Sequence, residues 1–298
     1  MEHAYPSPDA FDRAVKKAVR LSGAEPGAGY RQALRDRFLC RVFSGGNDTF
    51  VLKGGSGLLA RIPDARATRD VDFATSKRGS AADALAEMER VAAIDLGDWC
   101  RFVLTKHEES MDENGYSRLL KLRFATFVGE EEKDPVLIDL SLDCATTLPP
   151  ERITPANRVR IAGVDECDYL MYPLADQLAD KLCGIMELQP GGYPSSRMKD
   201  LVDVVTYATH EAFSKRELRL AIESECAKRG MDVPERFTAR KASGCFNQSA
   251  LQCRKCLNIS HICDWPWLKL RGYLSLRLPK LAQARTCSRR STCHCGIG

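Results

Sequence analysis

Three carboxylates on two predicted strands are the residues best suited to bind a metal ion. Asp70 and Asp72 are one residue apart, so on a strand both side chains point to the same face. Asp139 lies in the middle of the apolar run 136–142, and Asp143 is a second candidate. Like charges repel unless a cation neutralises them, and Mg²⁺ is typically bound by one or two carboxylates with substrate phosphates. We therefore predict a Mg²⁺ or Mn²⁺ site at Asp70, Asp72 and Asp139, with solvated surface carboxylates as the alternative.

A glycine-rich turn precedes these acids. Lys53, Gly54, Gly55 and Ser56 follow a short apolar strand at 49–52 and lead into a predicted helix. Glycines let the backbone approach a phosphate closely, and the start of a helix offers free N–H groups and the positive end of its dipole. The Ser56 hydroxyl is expected to cap the helix or to bind phosphate. The turn predicts a nucleotide-phosphate site, and an ordinary strand-to-helix turn is the alternative.

Charged residues also occur on apolar helix faces further along the chain. Lys181 falls in the middle of the apolar stripe of the helix predicted at 173–188, which predicts an ammonium directed at a triphosphate or, alternatively, a lysine whose charge reaches solvent. Arg197, Asp200 and Asp203 follow at three-residue spacing on the next helix, so they are neighbours. They are expected to orient Lys181 or the metal ligands, with a surface ion pair as the alternative.

The elements that must position these residues are predicted from periodicity and turn signals. Helices are predicted at 9–22 and 30–44, strands at 49–52 and 70–75, a helix at 81–94, strands at 100–106, 117–128 and 135–143, and helices at 173–188, 196–210 and 214–229. Strands first and helices later predict an α+β fold with a mixed sheet, followed by a helical domain. The expected organisation is N-terminal helices in 1–48, a catalytic core in 49–150, a helical domain in 151–240 and a separate tail in 241–298.

Composition limits the class of protein. Of 298 residues, 44% are hydrophobic and 28% charged, as in ordinary globular proteins. No apolar run reaches about 18 residues and the N-terminus is too polar for a secretory signal, so a cytoplasmic protein without a membrane partner is expected.

The tail at 241–298 differs from the rest of the chain. It has ten Lys or Arg residues against one acid, a net charge of +9, and seven of the thirteen cysteines. Cys253, Cys256, His261 and Cys263 are a possible zinc knuckle, but their spacing is irregular. A divergent or frame-shifted end is the favoured interpretation. The other six cysteines are expected to be reduced thiols in the core.

Taken together, these motifs resemble those of the AbiEii/AbiGii nucleotidyltransferase toxin family, which includes the MenT-like toxins of type IV toxin–antitoxin systems. The Lys53 turn followed by Arg66-Ala-Thr68-Arg-Asp70-Val-Asp72 resembles the first motif of the family. Asp139 in LIDLS resembles the acid of its second motif, and Lys181 in DQLADKL its helical lysine. RMKDLVDVV, which starts at Arg197, resembles the final motif. The four motifs occur in the order of the family and cover about residues 35–212.

The resemblance implies a polymerase-β-like nucleotidyltransferase core that uses Mg²⁺ and an NTP. It implies a toxin that transfers NMP to RNA, in some relatives to the 3′ end of tRNA, and that is neutralised by an AbiEi-type antitoxin encoded nearby. The implied catalytic residues are Asp70, Asp72, Asp139, Lys181 and Asp203. The implied nucleotide-binding residues are Lys53, Gly54, Gly55, Ser56, Arg66, Thr68, Lys181, Arg197 and Asp200.

Three further expectations concern substrates and alternatives. A basic set flanks the site and is expected to meet an RNA backbone: Arg61, Arg66, Arg69, Lys77 and Arg78. A kinase-like phosphotransferase acting on a protein or on itself, with Thr68 or Ser56 as acceptor, is one alternative. A non-catalytic nucleotide- or nucleic-acid-binding protein is another.

Overall fold

The computed structural model describes residues 3–75, 79–111, 115–142, 144–189 and 192–234. Several sequence-based expectations fall outside these ranges. They concern Lys77, Arg78, Asp143 and the whole 241–298 tail, including the possible zinc ligands Cys253, Cys256, His261 and Cys263.

A seven-stranded mixed sheet organises the described part of the chain, in the order β3-β4-β5-β2-β1-β7-β6. The strands are β1 (Phe50–Leu52), β2 (Val71–Thr75), β3 (Cys100–Met111), β4 (Arg118–Val128), β5 (Glu131–Ser141), β6 (Glu151–Ile153) and β7 (Tyr169–Met171). The β2–β5 and β1–β7 pairs are parallel, and the other neighbouring pairs are antiparallel. A short hairpin, β8 (Leu188–Gln189) with β9 (Tyr193–Pro194), lies apart from this sheet.

Helices precede, interrupt and follow the sheet. They are α1 (Pro8–Ser22), α2 (Pro26–Phe43), α3 (Gly54–Arg61), α4 (Ala81–Ala92), α5 (Leu174–Met186), α6 (Met198–His210) and α7 (Lys215–Lys228). The expected α+β fold with a mixed sheet followed by helices is therefore confirmed.

Capping residues in the sequence explain where several helices begin. Ser7 caps α1 by accepting a hydrogen bond from the Ala10 amide, and Ser80 and Asp83 form a reciprocal capping box at the start of α4. Alternation of apolar and polar residues decides which face of β4 and β5 enters the core. Leu122, Phe124 and Ile138 are buried, while the residues between them face away from the core.

Two hydrophobic clusters form the core. The first combines α1, α2 and α4 with the sheet, so the N-terminal helices pack on one face of the strands. The second combines α5, α6 and α7 with Leu58 of α3 and with Ile62, the residue that follows α3. Beyond residue 150, the chain adds β6 and β7, which complete the sheet. Their three-residue length gave no periodicity from which to predict them.

Buried ion pairs join α2 to the start of β3. Asp98 is fully buried and accepts hydrogen bonds from Arg37 at 2.6 Å and from Arg41 at 2.6 and 3.0 Å. The six cysteines of the described residues are free thiols, as expected, and four of them are buried. Within the described ranges, no helix has the length and apolarity needed to cross a membrane.

Candidate active site

Two of the predicted carboxylates lie side by side in the centre of the sheet. Asp72 of β2 and Asp139 of β5 are register partners in a parallel pair, so their side chains leave the same face. Both are half-buried, and their neighbours Phe73 and Leu140 point into the core. Asp70, the third predicted ligand, lies just before β2 and is half-buried as well.

The environment of this pair disfavours its negative charge. Burial raises the pKa of Asp72, Lys53 and Lys181 oppose that shift, the Asp139 carboxylate adds to it, and the resulting pKa is about 6. Burial and then the charge of Asp70 raise the pKa of Asp139. Two adjacent carboxylates whose negative charge is disfavoured by burial and by neighbouring acids are a site at which a bound cation would be favourable.

The glycine turn is shaped around Asp72. Gly54 has φ +60°, and a Cβ at this residue would lie 2.3 Å from Oδ2 of Asp72. The Gly55 N–H donates to that same oxygen at 3.0 Å. Gly54 is therefore required both by its backbone conformation and by the closeness of the carboxylate. In this arrangement the turn also fixes the orientation of Asp72.

The Ser56 side chain does not cap α3. The N-cap position of α3 is Lys53, so the prediction that Ser56 caps the helix was wrong. The Ser56 side chain is buried, and its hydroxyl donates to the Asp70 carbonyl at 2.9 Å. The Thr68 hydroxyl donates to the same carbonyl at 3.4 Å. Both hydroxyls therefore hold the backbone that leads into the carboxylate pair.

The charged residues of α5 and α6 form one network with Arg66. Nζ of Lys181 lies 2.8 Å from Asp203 and 3.0 Å from Asp200, and Lys181 is only 5% exposed. Arg66 donates to both oxygens of the fully buried Asp203, at 2.6 and 2.8 Å. Arg197 contacts Asp200 at 3.5 Å. Asp203 therefore orients two cations and does not itself line the pocket.

The charge of Lys181 is stable in this network. Burial lowers its pKa, but Asp200 and Asp203 raise it well above the usual value for lysine. Burial likewise lowers the pKa of Lys53, and the neighbouring Cys144, Asp180 and Asp72 raise it more. Both lysines are therefore cationic at neutral pH.

These groups surround one pocket of about 330 Å³. One wall is the sheet face with Asp72 and Asp139, and the glycine turn forms part of the rim. A second part of the lining, which we call the helix wall, comes from α5, α6, α7 and their ends. It carries five cations and three acids: Lys181, Arg197, Lys199, Lys228 and Arg229, with Asp180, Asp200 and Glu225. A carboxylate pair beside this excess of positive charge is complementary to a metal-bound polyphosphate.

Gln177 is a pocket residue that the sequence analysis missed. Its Oε1 accepts from the Gly54 N–H at 3.2 Å, and its Nε2 donates to the Gly54 carbonyl at 3.3 Å. The signal was its position one helical turn before Lys181, which places both side chains on the same face of α5.

Arg35 was missed for a different reason. From α2 it donates to the carbonyls of Thr68 at 3.3 Å and Arg69 at 2.7 Å, and so fixes the loop before Asp70. Sequence alone gives no signal for a contact between residues so far apart in the chain. The pocket lining contains further charged residues that were not singled out: Asp180, Lys199, Glu225, Lys228 and Arg229.

The donor set suits a cation bound by two carboxylates. Among the described residues, no group of three or more His, Cys, Asp or Glu side chains is arranged to hold a metal ion. A pair is sufficient for Mg²⁺, which retains water or substrate oxygens in most of its coordination shell. The raised pKa values of Asp72 and Asp139 are the observation that supports this fit.

Comparison with protein families identifies the chain. Residues 37–250, more than half of the sequence, match the family described as nucleotidyl transferase AbiEii toxin, type IV toxin–antitoxin system. The chain belongs to the AbiEii family. It is therefore a nucleotidyltransferase and a toxin of a type IV system, for which an NTP is the donor and an antitoxin the partner.

Solved structures give weaker similarities. MenT4, the nucleotidyltransferase toxin Rv2826c of Mycobacterium tuberculosis, matches with a TM-score of 0.49 and 15% identity over 77% of this chain and 75% of that chain. JHP933 of Helicobacter pylori matches with a TM-score of 0.37 and 17% identity over 65% of this chain and 67% of that chain. No curated protein is significantly similar in sequence. Membership of the AbiEii family therefore rests on the family match.

Proposed function

We propose that this AbiEii-family toxin transfers NMP from an NTP to a hydroxyl of an RNA, with the 3′ end of tRNA as the specific acceptor. The observation that supports this most strongly is that the pair Asp72 and Asp139 and the Lys181 network line a single pocket. Asp72 and Asp139 would hold Mg²⁺ or Mn²⁺, and Asp70, the third acid of the predicted set, would add its negative charge nearby. When bound, the cation would neutralise triphosphate oxygens and the attacking oxygen.

The reaction is an in-line displacement at phosphorus. A bond forms between the acceptor oxygen and the α-phosphorus, the bond from that phosphorus to the bridging oxygen breaks, and pyrophosphate leaves. The acceptor hydroxyl loses its proton. Asp139 is the proposed base, because burial and Asp70 raise its pKa and so increase its affinity for a proton.

Residues of the helix wall, together with Arg66 from the loop before β2, bind the departing pyrophosphate. Lys181 and Arg66 are cations whose positions are fixed by Asp203, so they require little reorganisation as charge develops on the leaving group. Lys53, Thr68, Arg197 and Lys199 line the same pocket and would complete the contacts to the triphosphate. Ser56 would act indirectly, through the Asp70 backbone.

Regulation by a partner is also part of the proposal. We expect an AbiEi-type antitoxin encoded beside the toxin gene to neutralise this activity in the cytoplasm. Sequencing the neighbouring genes and co-expressing the adjacent reading frame test this point, since co-expression of the cognate partner should restore growth.

The position of a radioactive label tests the proposed chemistry. Purified toxin is incubated with Mg²⁺, a tRNA mixture and an NTP that is labelled at either the α- or the γ-phosphate. We expect RNA to be labelled from the α position only, because the γ-phosphate leaves in pyrophosphate. Label entering the toxin or another protein from the γ position alone would instead establish phosphotransfer. Tight NTP binding with no transfer of either label would indicate a binding protein.

A further inference from the structure

The face of the sheet that carries Asp139 continues beyond the pocket. Lys121 is the register partner of Asp139 across β4 and β5, and Glu108 is the partner of Lys121 across β3 and β4. In the next row, Arg123 pairs with Leu137 on one side and Lys106 on the other. Directly opposed residues project to the same side of a sheet, so these rows lie on the face that carries the carboxylates.

We call Lys106, Lys121, Arg123 and Arg101 the open-face cluster. All four side chains are exposed, whereas the opposite face of these strands packs into the first hydrophobic cluster. Acids are fewer here: Glu108 lies 3.7 Å from Lys106, and Glu132 lies at the far end, opposite Phe127. The strip next to the active site therefore has an excess of positive charge.

The far end of the open face has an aromatic group. Arg101 and Phe127 are register partners, and the guanidinium carbon of Arg101 lies 4.3 Å from the centre of the Phe127 ring. Phe127 follows Lys121 by six residue steps along β4, a distance of about 20 Å at the usual rise of a strand. A basic strip that ends at an aromatic ring combines the two features by which proteins bind single-stranded nucleic acid.

We propose that the acceptor RNA strand lies on this open sheet face, with its reactive end at Asp139 and its backbone along Lys121, Arg123 and Lys106. This inference rests on the proposed function, and it assigns the two sides of the pocket to different substrates. The helix wall takes the triphosphate, and the sheet face takes the acceptor. The occupant is a polyanion because the strip beside the carboxylates is basic.

Measurements of RNA affinity test the proposal. The variant Lys106→Glu/Arg123→Glu reverses two charges of the cluster and leaves Lys121 unchanged, because Lys121 is adjacent to Asp139. Binding of a fluorescent single-stranded RNA of mixed sequence is followed by anisotropy at several salt concentrations. We expect the RNA affinity to fall at least about tenfold. The slope of log affinity against log salt concentration should become shallower by about 1.4, which corresponds to two lost phosphate contacts on a single strand.

A matched control separates this surface from overall charge. Arg13→Glu/Lys17→Glu makes the same charge change at exposed residues of α1, on the opposite side of the sheet. We expect this variant to bind RNA within about twofold of wild type. Nucleotide affinity, measured for both variants with a fluorescent NTP analogue, reports whether the pocket is intact.

The outcomes are decisive in either direction. Unchanged RNA binding by the open-face variant, or an equal loss in the α1 control, would overturn the inference. Loss of antitoxin binding with unchanged RNA binding would also overturn it and would identify a protein-binding face. The binding experiments are repeated in the Asp72→Asn background, where no transfer is expected. Binding that depends on the open face, without any labelling of RNA by wild-type toxin, would refute the proposed function alone.

Discussion

Asp72 combines a proposed role as metal ligand with a cost in stability. Its carboxylate is held by the Gly55 amide beside Asp139, in surroundings that raise its pKa to about 6. Because the folded state binds this proton more tightly than the unfolded chain, ionised Asp72 destabilises the fold above pH 6. That cost decreases as the pH falls from about 6 towards 3.8, the ordinary pKa of an aspartate in the unfolded chain.

Replacing Asp72 by Asn therefore predicts higher stability. At pH 7 the free energy of unfolding should increase by about 1–2 kcal/mol, less than the full shift implies because the side chain is partly exposed. Urea denaturation of wild type and Asp72→Asn at pH 5 and pH 7 measures this. The difference between the proteins should be larger at pH 7, and an Asn variant less stable than wild type at pH 7 would contradict the prediction.

Metal binding should depend on pH through the same group. Protonated Asp72 is a poor ligand, so Mn²⁺ affinity is expected to weaken as the pH falls below about 6. Calorimetric titration of the toxin with Mn²⁺ between pH 5 and pH 8 checks this dependence. Equal affinity across that range would argue against a metal site at Asp72.

Gly54 offers a substitution with a matched control. Gly54→Ala introduces a Cβ that would lie 2.3 Å from the Asp72 carboxylate, whereas Gly45→Ala imposes a similar positive φ with no atom within 4 Å. Both variants should lose about 1–2 kcal/mol of stability from backbone strain. Only Gly54→Ala should also lose most nucleotidyl transfer, as measured by labelling of RNA. A similar loss of activity in both variants would show that the closeness of Asp72 is not the cause.

At the scale of elements, α5 links the two halves of the site. The Gln177 side chain of α5 hydrogen-bonds to both the backbone N–H and the carbonyl of Gly54. One turn later, Lys181 donates to Asp203 of α6. The position of the glycine turn therefore depends on a helix more than a hundred residues away in sequence.

Two variants of the α5–α6 network should separate stability from activity. Asp203→Asn leaves Lys181 and Arg66 without their buried partner and should lower the free energy of unfolding by about 3–5 kcal/mol. Lys181→Met leaves Asp203 paired to both donor atoms of Arg66, so it should cost less stability while abolishing transfer. Urea denaturation and RNA labelling measure the two effects. A larger loss of stability in Lys181→Met would show that Arg66 does not compensate.

The sequence predicted the site better where residues lie close along the chain. Asp70, Asp72 and the glycine turn were visible because strand periodicity and glycine spacing are local signals. The roles of Gln177 and Arg35 were not, because their partners are decided by tertiary packing. The short strands β6 and β7 were missed for the same reason: each is three residues long and is held by its neighbours in the sheet.

At the scale of the whole molecule, a second buried ion-pair network lies away from the candidate site. Asp98 with Arg37 and Arg41 lies in the first hydrophobic region, on the side of the sheet opposite the pocket. Burial raises the pKa of Asp98 and the two arginines lower it more, to below its usual value. The resulting stability is present above the unfolded pKa of aspartate and is lost as the pH falls through the folded value.

Removing the Asp98 charge should therefore affect folding and leave nucleotide affinity unchanged. Asp98→Asn is expected to lower the free energy of unfolding by about 3–5 kcal/mol, because two buried guanidinium groups lose their partner. The exposed Asp64→Asn serves as the control and should change stability by less than about 0.5 kcal/mol. Reduced NTP affinity in the folded fraction of Asp98→Asn would contradict this separation.

Labelling of RNA from an α-labelled NTP by wild-type toxin, Asp72→Asn and Asp139→Asn in Mg²⁺ tests the role of the carboxylate pair. We expect incorporation by wild type and a decrease of at least about a thousandfold in each variant, with both variants folded. Incorporation by either variant within about tenfold of wild type would show that the paired carboxylates are not the catalytic centre.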